Sequence, residues 1–109
     1  MIVHRNKWPW GETVSIVHAD GAAMVDMSFD NENPGVCYLS GLSVIPEMRR
    51  RGLATDLMEE CILECAKRGI FRIDLCSVQV PFVMDFYHKL GFKDIKENDG
   101  LMRMYKIIR

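Results

Sequence analysis

Apolar and polar residues alternate along Thr13-Val-Ser-Ile-Val-His18 and again along Ala22-Ala-Met-Val-Asp-Met-Ser-Phe29, the period of strands with one buried face. Ala19-Asp-Gly21 between them is turn chemistry, so the pair reads as a β-hairpin. Asp30 to Gly35 is dense in turn formers, and Val36 to Ile45 follows as a third antiparallel strand, interrupted at Ser40-Gly41. A glycine there either weakens the strand or marks a bulge. The period changes at Leu53. Leu53, Ala54, Leu57, Met58, Cys61, Ile62 and Cys65 recur at helical spacing, with Asp56, Glu59, Glu60, Glu64, Lys67 and Arg68 mostly on the other side, until Gly69 stops the helix.

Ile70 to Cys76 returns to strand, with Phe71, Ile73 and Leu75 on one face. Strand, helix and strand of these lengths predict a βαβ unit with parallel strands, a right-handed crossover and a ligand crevice at the carboxyl end of the first strand. Val78 to Pro81 leads into a helix from about Phe82 to Lys89, stopped by Gly91. Lys93 to Gly100 reads as polar turn, and Leu101 to Ile108 as a last strand antiparallel to the preceding one. At the other end, Met1-Ile-Val-His4 suits an edge strand and Trp8-Pro-Trp-Gly11 a turn. The fold class expected is therefore α/β in the broad sense, a mixed α+β sheet, in a single domain over residues 1–109.

Composition narrows the function classes. Apolar content of 49% and charged content of 27% are ordinary, and a net charge of −1 argues against a general nucleic-acid or anionic-membrane binder. No stretch approaches the ~18 apolar residues of a membrane span, and the first apolar run is too short for a signal peptide, so a cytoplasmic location is expected. Cys37, Cys61, Cys65 and Cys76 form no CxxC pair and have no histidine at metal spacing; no metal is expected, and Cys61 and Cys65, four apart, read as small buried hydrophobes. Cys76 at a strand end is the sharper candidate, a nucleophile if a base lies beside it.

The stretch around which the rest is organised is Leu42-Ser-Val-Ile-Pro-Glu-Met-Arg-Arg-Arg-Gly-Leu-Ala-Thr55. Pro46 ends a strand, Arg49, Arg50 and Arg51 make a basic turn, Gly52 allows close approach, and a helix begins at Leu53. Unpaired amides and the positive end of the helix dipole there suit a phosphate-type anion. Arg49-x-x-Gly52-x-Ala54 resembles the acyl-coenzyme A pyrophosphate loop of the GNAT superfamily of N-acetyltransferases. Phe86-Tyr-His-Lys-Leu-Gly-Phe92 resembles that family's second signature, in the family's order and at about its spacing. The two blocks together cover residues from about Tyr38 to the end.

The resemblance implies a GNAT-like fold, with antiparallel N-terminal strands, then the βαβ unit, and acetyl-coenzyme A as co-substrate. It implies that backbone groups of Leu42, Ser43 and Val44 pair with the pantetheine arm, that Arg49, Arg50, Arg51, Gly52, Leu53, Ala54 and Thr55 cradle the pyrophosphate, and that Tyr87 protonates the leaving thiolate. In such folds the strand bearing Gly41 splays from its parallel neighbour. His88 points elsewhere on the helix. The expected activity is transfer of an acetyl group to a primary amine by direct attack. The acceptor is a small molecule, a peptide or a protein, with neither nucleic acid nor membrane as partner.

The chain departs from the family pattern at several points. Val80 stands where members often carry a cofactor-contacting asparagine, and Tyr38 and Leu75 stand where many place a catalytic glutamate. No general base stands out in the pattern: Glu47 lies in the turn itself, Asp26, His18 and Asp30 sit on or beside the hairpin as candidates, and a water chain to bulk or an amine of lowered pKa would remove the need for one. The two helices that usually separate the first two strands are lacking, leaving the acceptor side open to a large amine or to completion by a second subunit, as in a homodimer. A non-catalytic acyl-coenzyme A-binding or regulatory module is the alternative function. A nucleotide-binding domain is a weaker third reading, since no Walker or dinucleotide glycine pattern is present.

Overall fold

A computed structural model describes residues 1–109. Strands β1 (Ile2–Trp8), β2 (Gly11–His18), β3 (Ala23–Asp30) and β4 (Val36–Val44) precede helix α1 (Leu53–Lys67); β5 (Arg72–Val78), α2 (Pro81–Lys89), β6 (Lys93–Asn98) and β7 (Leu101–Ile107) complete the chain. They form one seven-stranded mixed sheet in the order β1-β2-β3-β4-β5-β7-β6. β4 and β5 are parallel, as the crossover through α1 requires, and all other neighbours are antiparallel.

The alternation read in the sequence becomes one buried face. Val14 and Ile16 of β2, Val25 and Met27 of β3, Leu39 of β4, Ile73 and Leu75 of β5 and Met104 of β7 share a single core with Leu57, Met58, Cys61 and Cys65 of α1 and Tyr87 of α2. Both helices therefore pack on the same side of the sheet. The opposite side carries Ser15, Asp26, Ser28, Tyr38, Asp74 and Cys76, the alternate positions of the same strands, and no helix covers it. The helices' own punctuation is as expected: Pro81 opens α2 at its first position, and Gly69 and Gly91 follow α1 and α2 with φ of 72° and 93°.

Four expectations are corrected. β1 runs through Trp8 in full register with β2, so Trp8 is a strand residue and the turn is only Pro9–Trp10. Lys93 to Asn98 is strand rather than loop; it pairs with β7 through Asp99-Gly100, whose φ values of 52° and 80° make a tight hairpin turn with the strands' own twist. Phe71 is 41% exposed and lies ahead of β5, where its ring covers Gly35 at a distance that leaves no room for a Cβ. β4 stops at Val44, with Ile45 exposed ahead of a 3-10 turn at Pro46–Met48.

Candidate active site

The centre of the molecule is a splay. β4 and β5 are paired only from Val36 with Arg72 to Leu39 with Leu75. The register of β3 on β4 then passes from Met27–Leu39 to Asp26–Gly41, so Ser40 is an extra residue, and its hydroxyl donates to the Asp26 carbonyl at 3.2 Å. This is the bulge that Ser40-Gly41 suggested, and it turns β4 away from β5. Beyond it, Leu42, Ser43 and Val44 keep β3 on one side and have no strand on the other, while β5 continues along β7 to Val78. The result is a V-shaped cleft between the free edge of β5 from Cys76 to Val78 and the free edge of β4 from Leu42 to Val44.

That edge runs directly into the basic turn. Arg49 closes the turn by donating from Nε to the Val44 carbonyl at 3.1 Å, so its guanidinium braces the end of β4. Arg50 and Gly52 have φ of 62° and 78°, left-handed geometry that turns the chain into α1. Consecutive N–H groups from Arg50 through Thr55 have no acceptor in the protein; the first satisfied amide is that of Asp56, on the Gly52 carbonyl at 3.0 Å. An anion placed there meets a row of donors, the helix dipole and exposed arginines. His18 lies beside this turn, accepting the Ala19 N–H on Nδ1 at 2.9 Å while its Nε2 meets Asp56 at 3.3 Å. Both ring nitrogens are thus engaged in local contacts.

Tyr87 sits on the helix-bearing side, 8% exposed, with its ring edge-on to Phe86 and Phe92 at centroid distances of 5.3 and 5.7 Å. Burial, with the Cys61 thiol nearby, pushes its phenol above the ordinary value, so it is a protonated donor at neutral pH. His88 is exposed and pairs with Asp94 at 2.7 Å, away from the cleft.

The cysteines divide as their positions dictate. Cys37, Cys61 and Cys65 are buried; contact with the other two thiols, together with burial, raises the Cys37 thiol far above its usual range. Cys76 is exposed on the bare side of the sheet, against the phenol of Tyr38, itself pushed up by that thiol and by partial burial. The raised phenol is a hydrogen-bonding neighbour of the Cys76 thiol rather than a base for it.

Sequence reading missed two features. Ser77 is 3% exposed and donates to the Val78 carbonyl at 2.9 Å just past the splay; a polar residue continuing the buried Ile73-Leu75 register was its signal. The other is the pairing of Ser15 with Asp26, whose strand register only the fold reveals.

Residues 6–92 match the profile of the Acetyltransferase (GNAT) family. The chain belongs to that family. An uncharacterized N-acetyltransferase of Methanocaldococcus jannaschii is 32% identical over 78 residues, covering 71% of this chain and 34% of the relative, so the chain spans about a third of that protein. Among solved structures, the PaiA N-acetyltransferase of Thermoplasma acidophilum, in complex with coenzyme A, superposes with a TM-score of 0.73 at 22% identity over 89% of this chain and 58% of that one. Ard1 of Thermoplasma volcanium gives 0.74 at 17% identity over 94% and 73%, and Tetrahymena Gcn5 gives 0.71 at 18% identity over 93% and 70%. These likenesses establish a GNAT fold for this sheet and its two helices.

Proposed function

We propose that this GNAT domain binds acetyl-coenzyme A in the β4–β5 cleft and transfers the acetyl group to a primary amine by direct attack within a ternary complex. The observation that carries the reading is continuous: a free strand edge at Leu42, Ser43 and Val44 leads into the unpartnered amides from Arg50 to Thr55. An extended amide-bearing arm adds to such an edge as a strand would, and a pyrophosphate ends on such amides. The coenzyme A bound to the T. acidophilum relative supports the same choice of ligand. The binding residues are Leu42, Ser43, Val44, Arg49, Arg50, Arg51, Gly52, Leu53, Ala54 and Thr55, with Arg49 acting through its brace on β4.

An N–H on the free edge polarises the thioester carbonyl, and Tyr87 donates its proton to the departing thiolate. With only Pro9–Trp10 between β1 and β2, no helix pair closes the acceptor side, which favours a large or flexible amine, or a site completed by a second copy. No helix of the structure is long and apolar enough to cross a membrane.

Val80, exposed at the start of α2, favours the second reading, a domain that binds acyl-coenzyme A without turnover. A thermal titration with acetyl-coenzyme A tests the first half of the proposal, with adenosine and pyrophosphate as controls. Ligand at ~100 times its dissociation constant should add roughly 2.7 kcal/mol and raise the midpoint by several degrees. No shift into the millimolar range overturns the cofactor assignment. A saturable shift without release of coenzyme A across a panel of amines selects the non-catalytic module.

A further inference from the structure

We infer that Asp26 is the carboxylate that receives the acceptor ammonium and takes its proton, acting from the bare side of the sheet across Gly41. The inference rests on the cofactor reading above and assigns the other half of the same site. Asp26 lies on β3 at the register position of Gly41, the residue that follows the bulge and begins the free edge of β4. Its side chain points away from the core, between the buried Val25 and Met27.

The two carboxylate oxygens have different surroundings. Oδ1 accepts the Ser15 hydroxyl at 2.5 Å, which fixes the plane of the group. Oδ2 accepts nothing from the protein and lies 3.6 Å from where a Cβ on Gly41 would stand. Neighbouring strands are ~4.8 Å apart, so a carboxylate reaching over β4 stands at the rim of the cleft. Of the groups around it, Ser15 comes from β2, Ser40 and Gly41 from β4, and His4 on β1 is in register with Ser15. No arginine or lysine shares that row, so no permanent cation of the protein stands beside the carboxylate.

Gly41 gains a reason from this arrangement. Every other glycine in the chain has positive φ, whereas Gly41 does not, so its backbone does not require glycine. What its hydrogen leaves open is the approach to Oδ2. Asp26 and Tyr87 then stand on opposite sides of the sheet, one where the amine arrives and the other where the thiolate leaves.

The protons balance. An ammonium, R–NH3+, gives one proton to Asp26, which returns it to water; the nitrogen lone pair forms the N–C bond and the C–S bond breaks. The thiolate takes a proton from Tyr87, which is restored by the second proton lost from nitrogen. The sum is amide, free coenzyme A thiol and one proton released.

The test compares the native chain with Asp26→Asn, Asp26→Glu and Gly41→Ala, following acetyl-coenzyme A by midpoint shift and turnover by thiol release. The amines are spermidine and a lysine-containing peptide with a free α-amine. Asp26→Asn should keep the acetyl-coenzyme A shift and lose at least 100-fold in kcat/KM, with part regained in Asp26→Glu. Gly41→Ala should raise the amine KM about tenfold while its fold and cofactor shift remain. Turnover by Asp26→Asn within threefold of native overturns the role, as does loss of the cofactor shift in that variant. A native chain that binds acetyl-coenzyme A and acetylates neither amine overturns it too. A native chain with no cofactor shift fails at the earlier step, and the role of Asp26 falls with the cofactor reading.

Discussion

Leu39 and Leu75 face each other across the last rung that joins β4 to β5, 4% and 2% exposed respectively. Above that rung the two strands share no hydrogen bonds, and the bulge at Ser40 and the free edge from Leu42 to Val44 follow at once. The cleft is thus floored by packed leucines, rigid because both are locked in the core.

Removing the Tyr87 hydroxyl separates binding from chemistry. Tyr87→Phe should lower kcat at least tenfold, about 1.4 kcal/mol of barrier, while the acetyl-coenzyme A midpoint shift persists. A donor must be protonated, and the Tyr87 phenol is raised by burial, so its own loss of activity comes only as pH rises through a value above the usual ~10. A pH–rate profile checks this: a fall between pH 7 and 9 would have to come from another group.

Gly52 has φ of 78° with nothing within 4 Å of an added Cβ. Gly52→Ala should therefore cost roughly 1–2 kcal/mol through backbone strain alone, read by chemical denaturation. Gly52→Glu places a carboxylate among the free amides and should abolish the acetyl-coenzyme A shift.

Gly11 is constrained by contact instead. A Cβ there would stand 2.0 Å from the Phe29 carbonyl oxygen, a backbone atom that cannot swing aside. Gly11→Ala should destabilise the chain by about 4 kcal/mol, among the larger losses single substitutions cause, and drop the midpoint by more than about 15 °C.

At the carboxyl end of α1, Arg68 reaches Glu12 at 2.7 Å and Glu64 at 3.5 Å, with its guanidinium 4.2 Å from the Phe29 ring centre. The Arg68 hydrogen bond holds the Glu12 carboxyl below its usual 4.5. A depressed carboxylate stabilises the fold above its unfolded pKa, and that contribution fades as pH falls from about 4.5 through the lower folded value. Glu12→Gln should cost roughly 0.5–1 kcal/mol at pH 7 and flatten the acid side of the stability curve. Midpoints measured from pH 7 down to pH 3 give the comparison.

Much of this was legible in the chain itself. Alternation in Val14, Ile16, Val25 and Met27 and helical spacing from Leu53 to Cys65 gave the sheet and α1, because burial of one face leaves a period in the sequence. β6 left no such period: Lys93 to Asn98 is exposed throughout, and only the Asp99-Gly100 turn betrays its hairpin. The basic turn was legible because loop chemistry is local. Asp26 was visible only as one carboxylate among several, since its partners Ser15 and Gly41 come from other strands and the pairing depends on a register that a bulge alters.

The four rungs between β4 and β5 have a mechanical consequence. Strands β1 to β4 with α1 form one plate and β5 to β7 with α2 another, stitched by residues 36–39 and 72–75 and by the shared core. A ligand lying along Leu42 to Val44 would complete the seam, so substrate and scaffold become interchangeable as structural material. Amide exchange in β4 and β5 should then slow across both plates when the cleft is filled, and every release of product should return the sheet to its looser, half-sewn state.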